Sequence, residues 1–138
     1  MLLRRAKPIT MTATELREYC ISLPGTTESI KWENHLCFSV GDKMYLVVTP
    51  DMFPISSSFK TSDELFEELP LREGIIPAPY MARHKWVHVD DIRRLTKKEW
   101  FRYAEIAYNL VFEKLPAKQK QLIEGKPKVK SKPASKKK

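Results

Sequence analysis

The chain of 138 residues and 16.1 kDa has room for one compact domain, and its 42% hydrophobic and 30% charged residues suit a globular protein, neither fibrous nor wholly disordered. Two cysteines cannot build a disulfide framework, and the longest apolar runs fall far short of the roughly 18 residues that a membrane span needs. The net charge of +8 invites a polyanion as partner, but residues 1–115 carry 16 Lys and Arg against 16 Asp and Glu, whereas residues 116–138 carry nine Lys against one Glu.

The first eleven residues, MLLRRAKPITM, lack the apolar centre of a secretory signal and read as a flexible extension of a cytoplasmic protein, with Met11 an equally good start. Thr-x-x-Glu at Thr12/Glu15, Thr61/Glu64 and Thr96/Glu99 predicts three helix starts, because the Thr hydroxyl accepts the N3 amide while the Glu reaches back to the cap amide. The first helix carries Leu16, Tyr19, Cys20 and Leu23 on one face and stops at Pro24 and Gly25. Extended segments follow at 36–40 and 44–49, joined by the tight turn Gly41–Asp42, with a third at 55–59 after Pro54. A short second helix holds Leu65, Phe66 and Leu69. WVHVD (86–90) supplies a fourth strand, and the longest helix runs from Thr96 to about Leu115, with Leu95 and Trp100 placed as a hydrophobic staple. The order αβββαβα has too few crossovers for a parallel sheet, so the predicted fold is α+β: one antiparallel sheet with helices on one face and the other face partly open. Residues 12–116 make the domain. Residues 117–138, ending GKPKVKSKPASKKK, read as a lysine-rich disordered tail that cannot bury enough apolar surface to fold.

Catalytic chemistry finds little support. There is no G-x-S-x-G elbow, and four glycines make no phosphate-cradling loop. Cys20 lies on an apolar stripe and Cys37 among alternating apolar neighbours, so both read as buried structural thiols. His35 with Cys37, and His84 with His88, lack the spacing of a metal site, and the neighbours Glu67/Glu68 and Asp90/Asp91 point apart. No enzyme, cofactor or metal is expected. Basic residues interleave with aromatic ones instead: Lys31 with Trp32, Lys43 with Tyr45, and Arg83, His84 and Lys85 with Trp86. Cations that hold phosphates beside rings that stack on bases are the division of labour of nucleic-acid binding. Trp86 and Trp100 read as core, Tyr45 as either core or surface, and Trp32 stands in a polar loop.

The segments LREYCISLPGTTESIKWE (16–33), VGDKMYLVV (40–48), SFKTSDE (58–64), GIIPAPYMARHKWVHVD (74–90) and AYNLVFEKLPAKQ (107–119) resemble the MmcQ/YjbR family over about 105 residues. The resemblance implies a CyaY-like fold and a "double wing" DNA-binding protein, in which hairpins approach the duplex. It carries over no catalytic residues. Lys43, Lys60, Arg83 and Lys85 fall on or beside the matched segments and, with Lys31 and Trp32, form the expected contacts. A tail neutralising about 8 phosphates would give a log-log salt slope of about −7 without sequence preference. The alternative is a protein or small-ligand interaction domain using the open sheet face.

Overall fold

The computed structural model describes residues 10–32, 34–51 and 53–124. Helix α1 (Ala13–Ser22) leads into strands β1 (Thr26–Lys31), β2 (His35–Val40), β3 (Lys43–Thr49) and β4 (Ser56–Lys60), followed by α2 (Asp63–Glu68), β5 (Ile75–Pro77), β6 (Trp86–Val89), α3 (Lys97–Phe112) and α4 (Ala117–Glu124). All strand pairs are antiparallel, in the order β1-β2-β3-β4-β6-β5. This is the α+β arrangement expected, with two more strands and one more helix. No described helix is long and apolar enough to cross a membrane.

The two extra strands left little trace in the residue pattern. Strand β1, TTESIK, is an edge strand with no buried residue, so nothing forces its side chains to alternate. Strand β5 is three residues long and ends on Pro77, at the opposite edge, where a missing N–H is tolerated. Helix α4 overturns the expectation of a disordered tail from residue 117. Ile123 packs against the core, and a Cβ at Gly25 would lie 2.9 Å from its side chain. At the other end, Met11 is buried and Thr10 bridges Thr96, so the extension stops short of residue 10. Residues 1–9 and 125–138, the rest of the expected extension and tail, lie outside the described residues.

Capping boxes open α1 at Thr12/Glu15 and α3 at Thr96/Glu99 as predicted. The second box is corrected. Ser62, not Thr61, caps α2 by accepting the Leu65 amide, and Leu65 rather than a Glu holds the N3 position. Thr61 is engaged elsewhere: its amide and its hydroxyl both donate to the Lys85 carbonyl, at 2.7 and 2.8 Å.

The main core lies between the sheet and the helices, with Phe38, Leu46, Phe59, Val87 and Val89 against Leu16, Trp100, Ala104 and Val111. Leu95 and Trp100 are both buried, as a staple requires, and the Trp100 indole donates to the Ile92 carbonyl at 2.7 Å. The other sheet face is not open at its centre. Cys37, Val47 and Trp86 form a second cluster there with Ala78, flanked by Met44 and Met81, so residues 78–86 fold over it. Tyr45 is core because of a bulge. Phe38 pairs with Leu46 but Ser39 with Met44, which leaves Tyr45 as the extra residue of β3 and turns its side chain inward. Its hydroxyl donates to the Cys20 carbonyl (3.3 Å) and lies 2.9 Å from the Thr26 hydroxyl, while its ring meets Tyr108 edge-on. Burial pushes its pKa well above the ordinary phenol value.

Tyr45→Phe is expected to lower stability by about 1–2 kcal/mol, the sum of two lost hydrogen bonds, read by urea denaturation. Ending the chain after Glu124 should leave the melting temperature unchanged. Ending it after Pro116 should lower it, because removal of Ile123 uncovers part of the core at a cost of about 1 kcal/mol or more; thermal unfolding followed by circular dichroism separates the two.

Candidate nucleic-acid interface

The strand register divides the expected contacts into two groups. Val40 pairs with Lys43 across the Gly41–Asp42 turn, and Lys60 pairs with Trp86, the neighbour of Lys85. The β2–β3 turn, the end of β4 and the start of β6 therefore meet at one end of the sheet and bring Lys43, Lys60, Arg83 and Lys85 together. Lys31 pairs with His35, so Lys31 and Trp32 stand at the opposite end, in the turn between β1 and β2. The six expected contacts thus lie in two separate places.

At the four-cation end the backbone is held firmly. Gly41 and Asp42 have φ of 60° and 65°, the left-handed pair that suits a two-residue hairpin. A Cβ at Gly41 would lie 2.5 Å from the Leu115 side chain, so the hairpin tip is braced on the chain just after α3. Arg83 is exposed in a single 3-10 turn, Ala82–His84. Lys85, which ends that turn at φ 65°, sets its ammonium 5.0 Å from the Phe66 ring centre. Lys60 is half-buried and donates from Nζ to the His84 carbonyl at 2.8 Å. Burial lowers its pKa, the nearby Lys114 charge adds to the effect, and Asp63 opposes it. Asp42, Asp63 and Glu64 lie at this same end, so the positive excess there is modest.

Ion pairing engages six of the other described cations, but not Lys31, Lys98, Arg102, Lys114 or Lys118. Arg17 with Glu28, Arg72 with Glu99, Arg93 with Asp91, Arg94 with Asp90, Lys97 with Glu15 and Lys120 with Glu113 form salt bridges. Among the described residues, Lys43, Lys60, Arg83 and Lys85 form none. Surface pairs contribute little to stability, but a paired cation is not offered to a phosphate.

Two features of the second sheet face gave no signal in the residue spacing. Ser58 Oγ lies 2.8 Å from His88 Nδ1, because β4 and β6 pair Ser58 with His88 thirty residues apart. Burial lowers the His88 pKa, and the charge of Asp90 pulls less strongly the other way. Asp90 is bound to Arg94, and among the described residues no carboxylate hydrogen-bonds His88, so the pair lacks the orienting third group of a hydrolytic triad. Tyr80 is fully exposed with φ 67°.

A family model described as YjbR matches residues 21–110. The solved structure of protein DR2400 of Deinococcus radiodurans, described with the family-model domain DUF419, is similar with a TM-score of 0.74 and 24% identity, covering 85% of this chain and 90% of that one. A protein from Pseudomonas syringae is similar with a TM-score of 0.61 and 22% identity over 73% of this chain and 99% of that one. No curated protein matches. The chain belongs to the YjbR family.

The His88 environment sets a pH dependence. Its native pKa lies below the unfolded value near 6.5, so the unfolded chain takes up a proton more readily and acidification through about pH 6.5 favours unfolding. Glu15, Asp91 and Glu99, held below their ordinary range chiefly by Lys97, Arg93 and Arg72, lose their contribution only below about pH 4.5. The urea midpoint should therefore fall between pH 7.5 and 5.5, and His88→Gln should flatten that fall.

Proposed function

We propose that the protein binds DNA in the cytoplasm through its phosphate backbone, with the Gly41–Lys43 turn and the Arg83–Lys85 loop as the two wings and Lys60 between them. The observation that carries this is the gathering of four cations without carboxylate partners at one end of the sheet of a charge-balanced body, in which six of the eleven other described arginines and lysines are ion-paired. Phosphate contacts of this kind give affinity and register without reading sequence. The seven lysines of residues 125–138 add a diffuse attraction, and being lysines they act as point charges without the two-toothed grip of arginine. On this reading the chain acts by binding, without cofactor or catalysis, and its two free thiols suit a reducing compartment. The alternative, a protein or small ligand on the second sheet face, would have to bind around a centre where Cys37, Val47 and Trp86 are buried.

The test is fluorescence anisotropy of a labelled duplex over a range of salt. The full chain should show a log-log slope of about −7 or steeper. Substituting Lys43, Arg83 and Lys85 together by Ala should weaken binding and reduce the slope by about 3, one for each phosphate contact. A chain ending after Glu124 should keep measurable affinity at low salt. If that truncation abolishes binding and the triple substitution in the full chain changes nothing, the wings are not the contacts.

A further inference from the structure

Four aromatic side chains are exposed among the described residues; Phe53 lies under the Arg93 guanidinium and Phe101 against Tyr19, whereas Tyr80 and Trp32 have no role in a purely electrostatic contact. Tyr80 is 101% exposed and Trp32 is 61% exposed, and both have left-handed backbones, at φ 67° and 50°. Bulky residues rarely adopt that conformation. Tyr80 is the third residue of the turn Ala78–Pro79–Tyr80–Met81, closed by the Met81 amide on the Ala78 carbonyl at 3.1 Å. With Pro second and a positive φ third, that position ordinarily takes Gly or Asn. The chain instead places a tyrosine there and gives its ring no protein neighbour.

Both rings border the same face of the sheet. Ala78 and Met81, on either side of Tyr80, pack on Cys37, Val47 and Trp86. The Trp32 ring stands edge-on to His35, at 5.7 Å and 90°, and His35 shares its strand face with Cys37. Three strand steps and roughly four residues along the strands separate the two places, about 20 Å, a span of a few nucleotides. Between them runs the cross-strand row Ser29–Cys37–Val47–Ser58–His88–Ile76. Its ends, Ser29 and Ile76, are exposed and Ser58 and His88 are half-buried, while Cys37 and Val47 between them are covered by residues 78–86, so a strand that reaches both rings passes over that covering segment. In the sequence Lys31 adjoins Trp32, and Arg83 and Lys85 follow Tyr80 within five residues, so each ring has cations on the same segment.

We propose that this face takes single-stranded nucleic acid, with bases stacked on Tyr80 and Trp32 and phosphates held by the adjacent Arg83, Lys85 and Lys31. This rests on the nucleic-acid reading above and narrows it. In a duplex the base faces are already stacked on each other and only edges and phosphates are offered, so exposed rings gain nothing there. An unpaired strand offers ring faces to any aromatic side chain, whatever its sequence.

Trp86 and Trp100 are buried, so among the three tryptophans Trp32 is the one placed to be quenched by a stacking base. The full chain is titrated with a labelled twelve-residue oligothymidine and, separately, with a duplex of the same length at about 200 mM salt, following tryptophan emission and label anisotropy. The single strand should bind more tightly and quench the emission. Trp32→Phe should keep the affinity and lose the quenching, while Trp32→Ala and Tyr80→Gly should each weaken the single strand five-fold or more and leave the duplex unchanged. Tyr80→Gly relaxes the turn, so its loss of affinity is not a loss of fold. Tighter duplex binding, or ring substitutions without effect on oligothymidine, overturns the inference and leaves the wing reading standing. Absence of binding to either nucleic acid overturns both.

Discussion

The candidate interface depends on two hydrogen bonds accepted by one oxygen. The Lys85 carbonyl takes both the amide and the hydroxyl proton of Thr61, a residue that is itself buried. That double contact ties the 82–85 turn to the connection between β4 and α2. With it come the left-handed backbone of Lys85, the approach of Lys60 Nζ to the His84 carbonyl and the placement of Lys85 over Phe66. A serine could make the same two bonds, but the β-branched threonine is stiffer at χ1 and suits the strand end it occupies. The cations are thus positioned by backbone carbonyls and packing, and no carboxylates are spent in holding them.

The same economy recurs across the molecule. Tyr45, turned inward by the bulge, joins α1, β1 and α3 through one hydroxyl and one ring. Leu115 braces the β2–β3 turn from beyond α3, and Ile123 braces the start of β1 from α4. The two turns that carry Lys43 and Lys85 are rigid because elements distant in the chain press on them, which favours docking on a partner with little entropy lost in ordering the wings.

The helices and the central hairpin were legible because their signals are local: capping boxes, an apolar stripe at helical spacing, and Gly–Asp between β-formers. Strand β1 was not, since an exposed edge strand has no buried face to impose a period, and missing it hid the hairpin that carries Lys31 and Trp32 to the far end of the sheet. Tyr45 stayed undecided because a bulge breaks the alternation that would have placed it. Thr61 meets the pattern Thr-x-x-Glu of a cap, but the contact to the Lys85 carbonyl claims its hydroxyl. Helix α4 is concealed by the composition of the lysines that follow it; Ile123 packs it on the core and Lys120 ties it to Glu113 and the Phe112 ring. Lys43, Lys60, Arg83 and Lys85 were recognisable as basic turn residues, whereas their common end and their lack of ion pairs required the register of six strands. The Ser58–His88 contact and the exposed ring of Tyr80 are properties of that register and of one turn, without a spacing signature.

The claim on which the functional account turns is that the folded body, and not only the C-terminal lysines, meets the nucleic acid. The most direct measurement is an amide chemical-shift map of the full chain as a short DNA is added. The account predicts shifts that cluster at residues 41–43, 60–61 and 80–86. Shifts confined to residues beyond Glu124, with those segments unmoved, would contradict it.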